Sequence, residues 1–333
     1  MARSSGNDRA SGSKRIVTLT LNPVIDVSSQ AETVRHTHKV RTSDEQMEPG
    51  GGGINVSRVL SRLGADVRAI FLGGGATGQA LDDLLARSGI DRTMIEISGD
   101  TRLSLTVVER STGHEYRFVP EGPEVSGVEA SAALEAAGSA TCDYFVASGS
   151  LPRGVPDDFY VRLRNRVCER GARFVLDTSG APLRASLDAG GIFLVKPSRG
   201  EFERLAGREL GTDELVSEAE GLVSGGKAAN VAITLGGEGA IFVNADGAHV
   251  LPALPVESCS TVGAGDSFLA GMVYGFATGR SADQALRIGL AGGAAAVLSC
   301  GSELAGLEDL KRLVGEALAG EQVDDVGVGS DGA

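Results

Sequence analysis

Short apolar runs recur along this chain, separated by longer stretches in which apolar residues return every three or four positions. Ile16–Leu21, Val67–Leu72, Tyr144–Ala147, Phe174–Leu176, Phe193–Val195 and Val231–Leu235 are apolar nearly throughout. Runs of that kind predict strands covered on both faces, as in a parallel sheet. Between them, Ile54–Leu63, Gly78–Ser88, Asp157–Glu169, Arg199–Leu205 and Asp213–Val223 carry the helical period. Three more helical stretches follow Asp266 and end near Leu318. The pattern predicts an α/β fold: one doubly wound, mostly parallel sheet with helices on both faces, spanning residues 15–319.

Two segments break the rhythm. Val34–Thr42 and Leu103–Val119 alternate apolar and polar residues, with a turn at Ser111–His114 in the second. Alternation predicts strands with one wet face, outside the buried sheet. A small β-sheet lid built from about residues 28–47 and 100–120 is the expected result. The ends, 1–14 and 320–333, are polar and glycine-rich and are expected to be disordered tails. There is no internal repeat.

Composition sharpens this in three ways. The 333 residues suit one large α/β unit, and the 42% hydrophobic content supports a sizeable core. With aromatics at 4% and no Trp, that core must be built from Val, Leu, Ile and Ala. A net charge of −13 argues against nucleic acid or an anionic membrane as partner, so single cations near a ligand loop become informative. Cys142, Cys168, Cys259 and Cys300 show no metal-ligand spacing and read as buried reduced thiols. No apolar run has the length of a membrane span, and the start lacks the apolar stretch of a signal peptide, so the cytoplasm is expected.

Candidate chemistry centres on Ser260-Thr-Val-Gly-Ala-Gly-Asp266, a small-residue turn that opens onto an apolar helix. The first amides of a helix have no intrahelical partner and sit at the positive end of its dipole, so they hold an anion well. Gly263, Ala264 and Gly265 would form such an anion hole. Asp266 beside them is poorly placed to bind phosphate but well placed to take a proton from a hydroxyl attacking one. An ordinary N-cap aspartate is the plainer alternative.

Other segments point the same way. Gly50–Gly53 precede a helix carrying Asn55, bare backbone suited to a polyhydroxy ligand. Asp26 lies just past the C-terminal end of the first strand, where open α/β sheets bind ligands. Arg102 and Arg117 lie in the lid, with Lys39 and Arg41 on its other part, and guanidinium forks suit a phosphate dianion. Lys196 ends a buried strand, and Glu201 follows in the next helix's first turn, where it would hold a hydrated Mg²⁺ or merely favour the dipole. The glycine loop Thr234–Gly239 would border a purine, or form a plain hairpin turn.

Three motifs are decoys. Gly73–Gly78 matches G-x-G-x-x-G but sits in the second strand–helix unit without the expected ribose acid, so tight packing explains it better than dinucleotide binding. Gly221–Ala228 resembles a P-loop but ends in Ala and closes a helix. His36 and His38 share a strand face with no third metal ligand nearby.

Together these segments resemble the PfkB (ribokinase-like) family of carbohydrate kinases, from Ile16 to Leu318. The resemblance rests on Gly-Gly-Gly-Gly-Ile-Asn-Val at 50–56, Asp177-Thr-Ser-Gly180, Lys196-Pro-Ser-Arg-Gly-Glu201 and Thr261-Val-Gly-Ala-Gly-Asp-Ser267, in family order. It implies ATP-dependent phosphorylation of fructose 6-phosphate at its 1-hydroxyl. Thr18–Leu21, Tyr116–Val119 and Ser148–Pro152 support that acceptor, as does the lack of the lysine that sister kinases carry within Gly50–Gly53. Fructose 1-phosphate and tagatose 6-phosphate remain the alternatives, and Asn22 is shared with the kinases that use them.

The resemblance also implies residue roles. Asp266 would be the base, with Gly263, Ala264 and Gly265 around the transferred phosphoryl group. Asp26, Gly52, Gly53 and Asn55 would hold sugar hydroxyls, while Lys39, Arg102, Arg117 and Ser150 would meet the sugar phosphate. Lys196, Ser198, Glu201, Thr234, Gly236 and Gly239 would line the ATP–Mg²⁺ side. Ser260, Val262, Ala296, Ser299 and Gly301 would cradle K⁺ through carbonyl oxygens, and the lid would pair two subunits into a homodimer. Ser198 stands where the family usually has Asn, which would weaken contacts there; Cys300 and Glu303 depart from the usual residues beside the K⁺ cradle.

Overall fold

Residues 14–257, 259–299 and 304–319 are described by the structure, a computed structural model. The expected tails lie outside the described residues, apart from Lys14. The chain opens with β1 (Arg15–Thr20), β2 (Val24–Ala31), β3 (Ser43–Gly50), α1 (Gly52–Arg62), β4 (Asp66–Gly73), α2 (Gly75–Arg87) and β5 (Asp91–Glu96). It continues through β6 (Arg102–Glu109), β7 (Glu115–Phe118), α3 (Gly127–Gly138), β8 (Tyr144–Ser148), α4 (Phe159–Glu169), β9 (Arg173–Asp177) and α5 (Gly180–Ala189). Then come β10 (Ile192–Val195), α6 (Arg199–Ala206), α7 (Thr212–Ser224), β11 (Ala228–Thr234), β12 (Ala240–Asn244) and β13 (Gly247–Leu251). The last elements are α8 (Ala264–Ala277), α9 (Ala282–Leu298) and α10 (Leu307–Ala319).

The large sheet runs β13-β12-β11-β10-β9-β8-β1-β4-β5. Every pairing from β5 to β11 is parallel, and only the β11–β12–β13 edge is antiparallel. β1 shows why: Ile16 packs into one core while Val17 and Leu19 pack into the other, so both faces are covered. Helices α3–α7 pack on one face, and α1, α8, α9 and α10 on the other. The cores are aliphatic, as the aromatic-poor composition requires. Where α8 crosses α9, small residues bring the backbones together: a Cβ on Gly271 would collide with Ile288 O, and one on Gly292 with Ser267 O. The start of α8 is thereby packed closely against α9.

The lid is a second sheet, β3-β2-β6-β7. Its second half matches expectation, with β6 and β7 joined through the turn after Glu109. Its first half does not. Val34–Thr42 forms no strand; it is a loop with Thr37 in the left-handed region at φ 64°. The strands are β2 and β3 on either side of it. The sequence pattern misled because Val34 and Val40, the two apolar residues of that segment, fall in phase with a strand, whereas Ser43–Met47 of β3 is exposed and has no apolar face to read.

Smaller departures concern α3 and α5, whose alanine-rich sequences carry a weak apolar stripe, and the β12–β13 edge. The thiols also differ: Cys142 and Cys168 are free, Cys168 is exposed rather than buried, and Cys259 is disulfide-bonded rather than reduced. Cys300 lies outside the described residues.

Candidate active site

α8 begins where Gly263 adopts φ 71°, a left-handed conformation; a Cβ there would also lie 2.6 Å from Leu304 Cδ2. Ser267 N–H donates to Gly263 O at 2.8 Å, and Ala264 N–H reaches back to Thr261 O at 3.4 Å. The amides of Gly265 and Asp266 have no backbone acceptor among the described residues. They are the free donors at the positive end of a 14-residue helix.

Asp266 does not cap its own helix. The side-chain amide of Asn55 donates to Asp266 Oδ2 at 2.9 Å, joining the first turns of α1 and α8. Helix α1 can approach so closely because its N-terminus is glycine: a Cβ on Gly53 would lie 2.5 Å from Leu19 O, and one on Gly52 would collide with Ser148 Oγ. The Thr20 hydroxyl accepts the Ile54 amide at 2.8 Å and locks α1 to the end of β1.

Burial pushes the Asp266 carboxyl up to about 7, assisted by the negative charge of Asp177; the Asn55 bond and Lys196 pull the other way. A carboxyl poised near neutrality is suited to taking up and giving back a proton. Behind it, Lys196 Nζ meets Asp177 Oδ1 at 3.2 Å, with both side chains largely enclosed. Ser148 Oγ donates to the other oxygen of Asp177 at 3.3 Å. Burial alone would lower the Lys196 pKa, but Asp177, Glu201 and Asp266 together raise it, so its ammonium stays charged.

Two cavities meet at the start of α8. One, of about 340 Å³, is lined by Asp26, Gly52, Asn55, Arg117, Ser150 and Asp266 among others. The second, of about 500 Å³, is lined by Thr234, Gly236, Gly239, Leu254, Ala264 and Gly265 among others, and is mainly apolar. Gly263 and Asp266 face the first, and Ala264 and Gly265 the second. The Thr234–Gly239 loop links the antiparallel strands β11 and β12, as a hairpin turn would, and it also walls the second cavity.

The structure does not bring every expected residue in. Gly53 is buried against β1, and Lys39 is exposed on the β2–β3 loop. Arg102 spends its guanidinium on the chain itself, donating to Pro120 O at 2.8 Å and Asn22 O at 2.9 Å. Ser198 is the N-cap of α6 and pairs with Thr234 by a parallel bridge. Glu201 closes the capping box, with Oε2 accepting from Ser198 N–H at 2.8 Å and Ser198 Oγ at 2.9 Å; it also lines the first cavity. Glu201 therefore caps α6 and faces the cavity at once. Ser260 N–H donates to Val297 O at 3.3 Å, which puts the 260–262 segment against the end of α9. Ala296 O accepts from Ser299 N–H at 3.1 Å, and Gly301 lies outside the described residues. The Gly73–Gly78 run lines neither cavity and packs against Ile97 and Gly99.

Sequence reasoning missed Ser104, Ser148, Thr178 and Ser179 in the first cavity, and gave Asp177 no role. Asp177 ends a buried strand before Thr-Ser-Gly, the same position that marked Asp26; that signal was present.

The pfkB family carbohydrate kinase model matches residues 17–309. An ATP-dependent 6-phosphofructokinase isozyme 2 of Mycobacterium tuberculosis is 38% identical over 305 residues, covering 90% of this chain and 89% of the relative. A 1-phosphofructokinase of Borreliella burgdorferi is 32% identical over 302 residues, covering 90% and 96%. The crystal structure of phosphofructokinase-2 from Escherichia coli in complex with potassium superimposes with a TM-score of 0.87 at 36% identity, covering 92% of this chain and 99% of that one.

Proposed function

This chain belongs to the pfkB family of carbohydrate kinases, and from that premise we propose that it transfers the γ-phosphoryl group of ATP to the 1-hydroxyl of fructose 6-phosphate. One observation carries the reading: Asp266, held by Asn55 beside free helix amides, stands where two cavities meet. The polar cavity suits a sugar phosphate, with Asp26 and Asn55 toward its hydroxyls and Arg117 and Ser150 toward its phosphate. The apolar cavity suits a purine, with the phosphates directed toward Ala264 and Gly265 at the dipole end.

In the reaction the sugar oxygen bonds to the γ-phosphorus, the bridge to ADP breaks, and the hydroxyl proton passes to Asp266. The transition state is loose, so charge neutralisation matters more than base strength. Lys196, charged and within 3.5 Å of where a Cβ on Gly265 would sit, supplies positive potential beside the anion hole. Among the described residues no three His, Cys, Asp or Glu come together as a metal site. A hydrated Mg²⁺ would be held chiefly by ATP oxygens and water, with Glu201 as its protein carboxylate, and would neutralise phosphate charge. K⁺ binding by the 260–262 segment and the end of α9 belongs to the same proposal, supported by the potassium complex of the E. coli relative.

Homodimerisation through the lid is likewise proposed. Met47, Leu105 and Phe118 are 58%, 45% and 61% exposed and fall in one row across the lid strands. No helix among the described residues is long and apolar enough to cross a membrane.

Fructose 1-phosphate is the second acceptor to weigh. Asn22 is shared with the sister kinases, and its amide lies 3.4 Å from Ser150 Oγ. Measuring ADP release with fructose 6-phosphate, fructose 1-phosphate and tagatose 6-phosphate in parallel tests the proposal. Turnover highest with fructose 6-phosphate supports it, and turnover with only one of the other two replaces it.

A further inference from the structure

Arg58 has no place in the roles assigned so far, yet its side chain is only 6% exposed. It lies on α1 one turn beyond Asn55, so both residues share a helix face. Its guanidinium reaches two consecutive residues of β3. It pairs with the Glu48 carboxylate, and Nη1 donates to Pro49 O at 2.8 Å. Glu48 stands directly opposite Asp26 in the β2–β3 register, and Ser104 stands opposite Asp26 on the other side. Two carboxylates facing each other across strands repel. Arg58 neutralises Glu48 directly, and its charge is also felt at Asp26, after those of Arg117 and Arg102.

The next residue after Pro49 completes the link. Asp26 Oδ2 occupies the space that a Cβ on Gly50 would take. Fixing the Pro49 carbonyl therefore fixes the wall against which the Asp26 carboxylate rests. We propose that Arg58 is a positioning residue for the sugar-phosphate side of the site: it clamps lid strand β3 to α1 and holds Asp26 where a substrate hydroxyl arrives. This rests on the sugar-phosphate kinase reading above. Helix α1 then serves both ends of the acceptor, with Asn55 orienting Asp266 and Arg58 orienting Asp26.

The clamp acts on acceptor binding and leaves the nucleotide cavity alone. Arg58→Met in the full-length chain should raise KM for the sugar phosphate about tenfold, the scale of a small misplacement of a binding group, while KM for ATP stays within about twofold. Arg58→Lys keeps the charge but loses the fork, and should fall between Arg58→Met and the parent. Should Arg58→Met fail to fold, Glu48→Gln and Arg58→Lys carry the test, each expected to raise the sugar-phosphate KM at least about threefold. Equal rises in both KM values, or a fall in kcat alone, overturn the clamp. An unchanged sugar-phosphate KM in Glu48→Gln and Arg58→Lys overturns it too. Absence of parental turnover with all three ketose phosphates instead overturns the kinase reading, and the clamp falls with it.

Discussion

Asn55 Nδ2 donates to Asp266 Oδ2 at 2.9 Å, across 211 positions of chain. The bond favours the ionised carboxylate while burial and Asp177 favour the protonated one. The reactivity of Asp266 is the outcome of that contest.

Removing the carboxylate should abolish proton acceptance without disturbing the fold. Asp266→Asn is expected to lose about 10²–10⁴ in kcat, the usual span for a general base, with an unchanged circular dichroism spectrum. Near-normal turnover would refute the role.

Asp266, with its pKa pushed up to about 7, should set the acid limb of kcat/KM. Activity needs the ionised form, so kcat/KM should fall about tenfold per pH unit below that value. Asn55→Leu removes a bond to the charged form and should shift this limb to higher pH. A pH–rate series on both proteins reads it, and a limb that moves to lower pH counts against the assignment.

Stability should carry the opposite signature. The folded pKa of Asp266 lies above the unfolded one, so the folded state binds the extra proton. The associated stabilisation is complete at low pH and is lost as pH rises from about 4 toward 7. Asp266→Asn should therefore melt higher than the parent at pH 8 and close to it at pH 4. Equal melting temperatures at both pH values would contradict the burial of this charge.

The Lys196–Asp177 pair invites a double-mutant cycle. Lys196→Met alone strands a buried carboxylate and should cost about 3–5 kcal/mol, whereas adding Asp177→Asn should recover much of it. Additive losses in denaturant titrations would mean that the two side chains are not coupled.

A homodimer built on the lid predicts that Leu105→Glu or Phe118→Glu yields monomers in sedimentation velocity. If both variants sediment like the parent, the subunits meet elsewhere.

Much of this molecule was legible locally. The buried strands announced themselves by uninterrupted apolar runs, and the main helices by their period, because covered faces demand apolar side chains. The small-residue turn that opens α8 before Asp266 was readable because glycines and helix starts act where they stand in the chain. β3 was not readable: its exposed residues carry no burial pattern, and the alternating Val34–Thr42 imitated a strand without having a partner. Nor does a side chain's sequence position tell whether it will be spent on ligand or on backbone, as Arg102 and Glu201 show.

By itself the sequence determined the α/β class and the chemical character of each loop, since period and backbone freedom are properties of neighbouring residues. Only the tertiary structure decided which groups meet: Asn55 with Asp266, Lys196 with Asp177, Arg58 with Glu48. A carboxyl's affinity for its proton depends on the charges and solvent around it, and packing brings those from elements far apart in the chain.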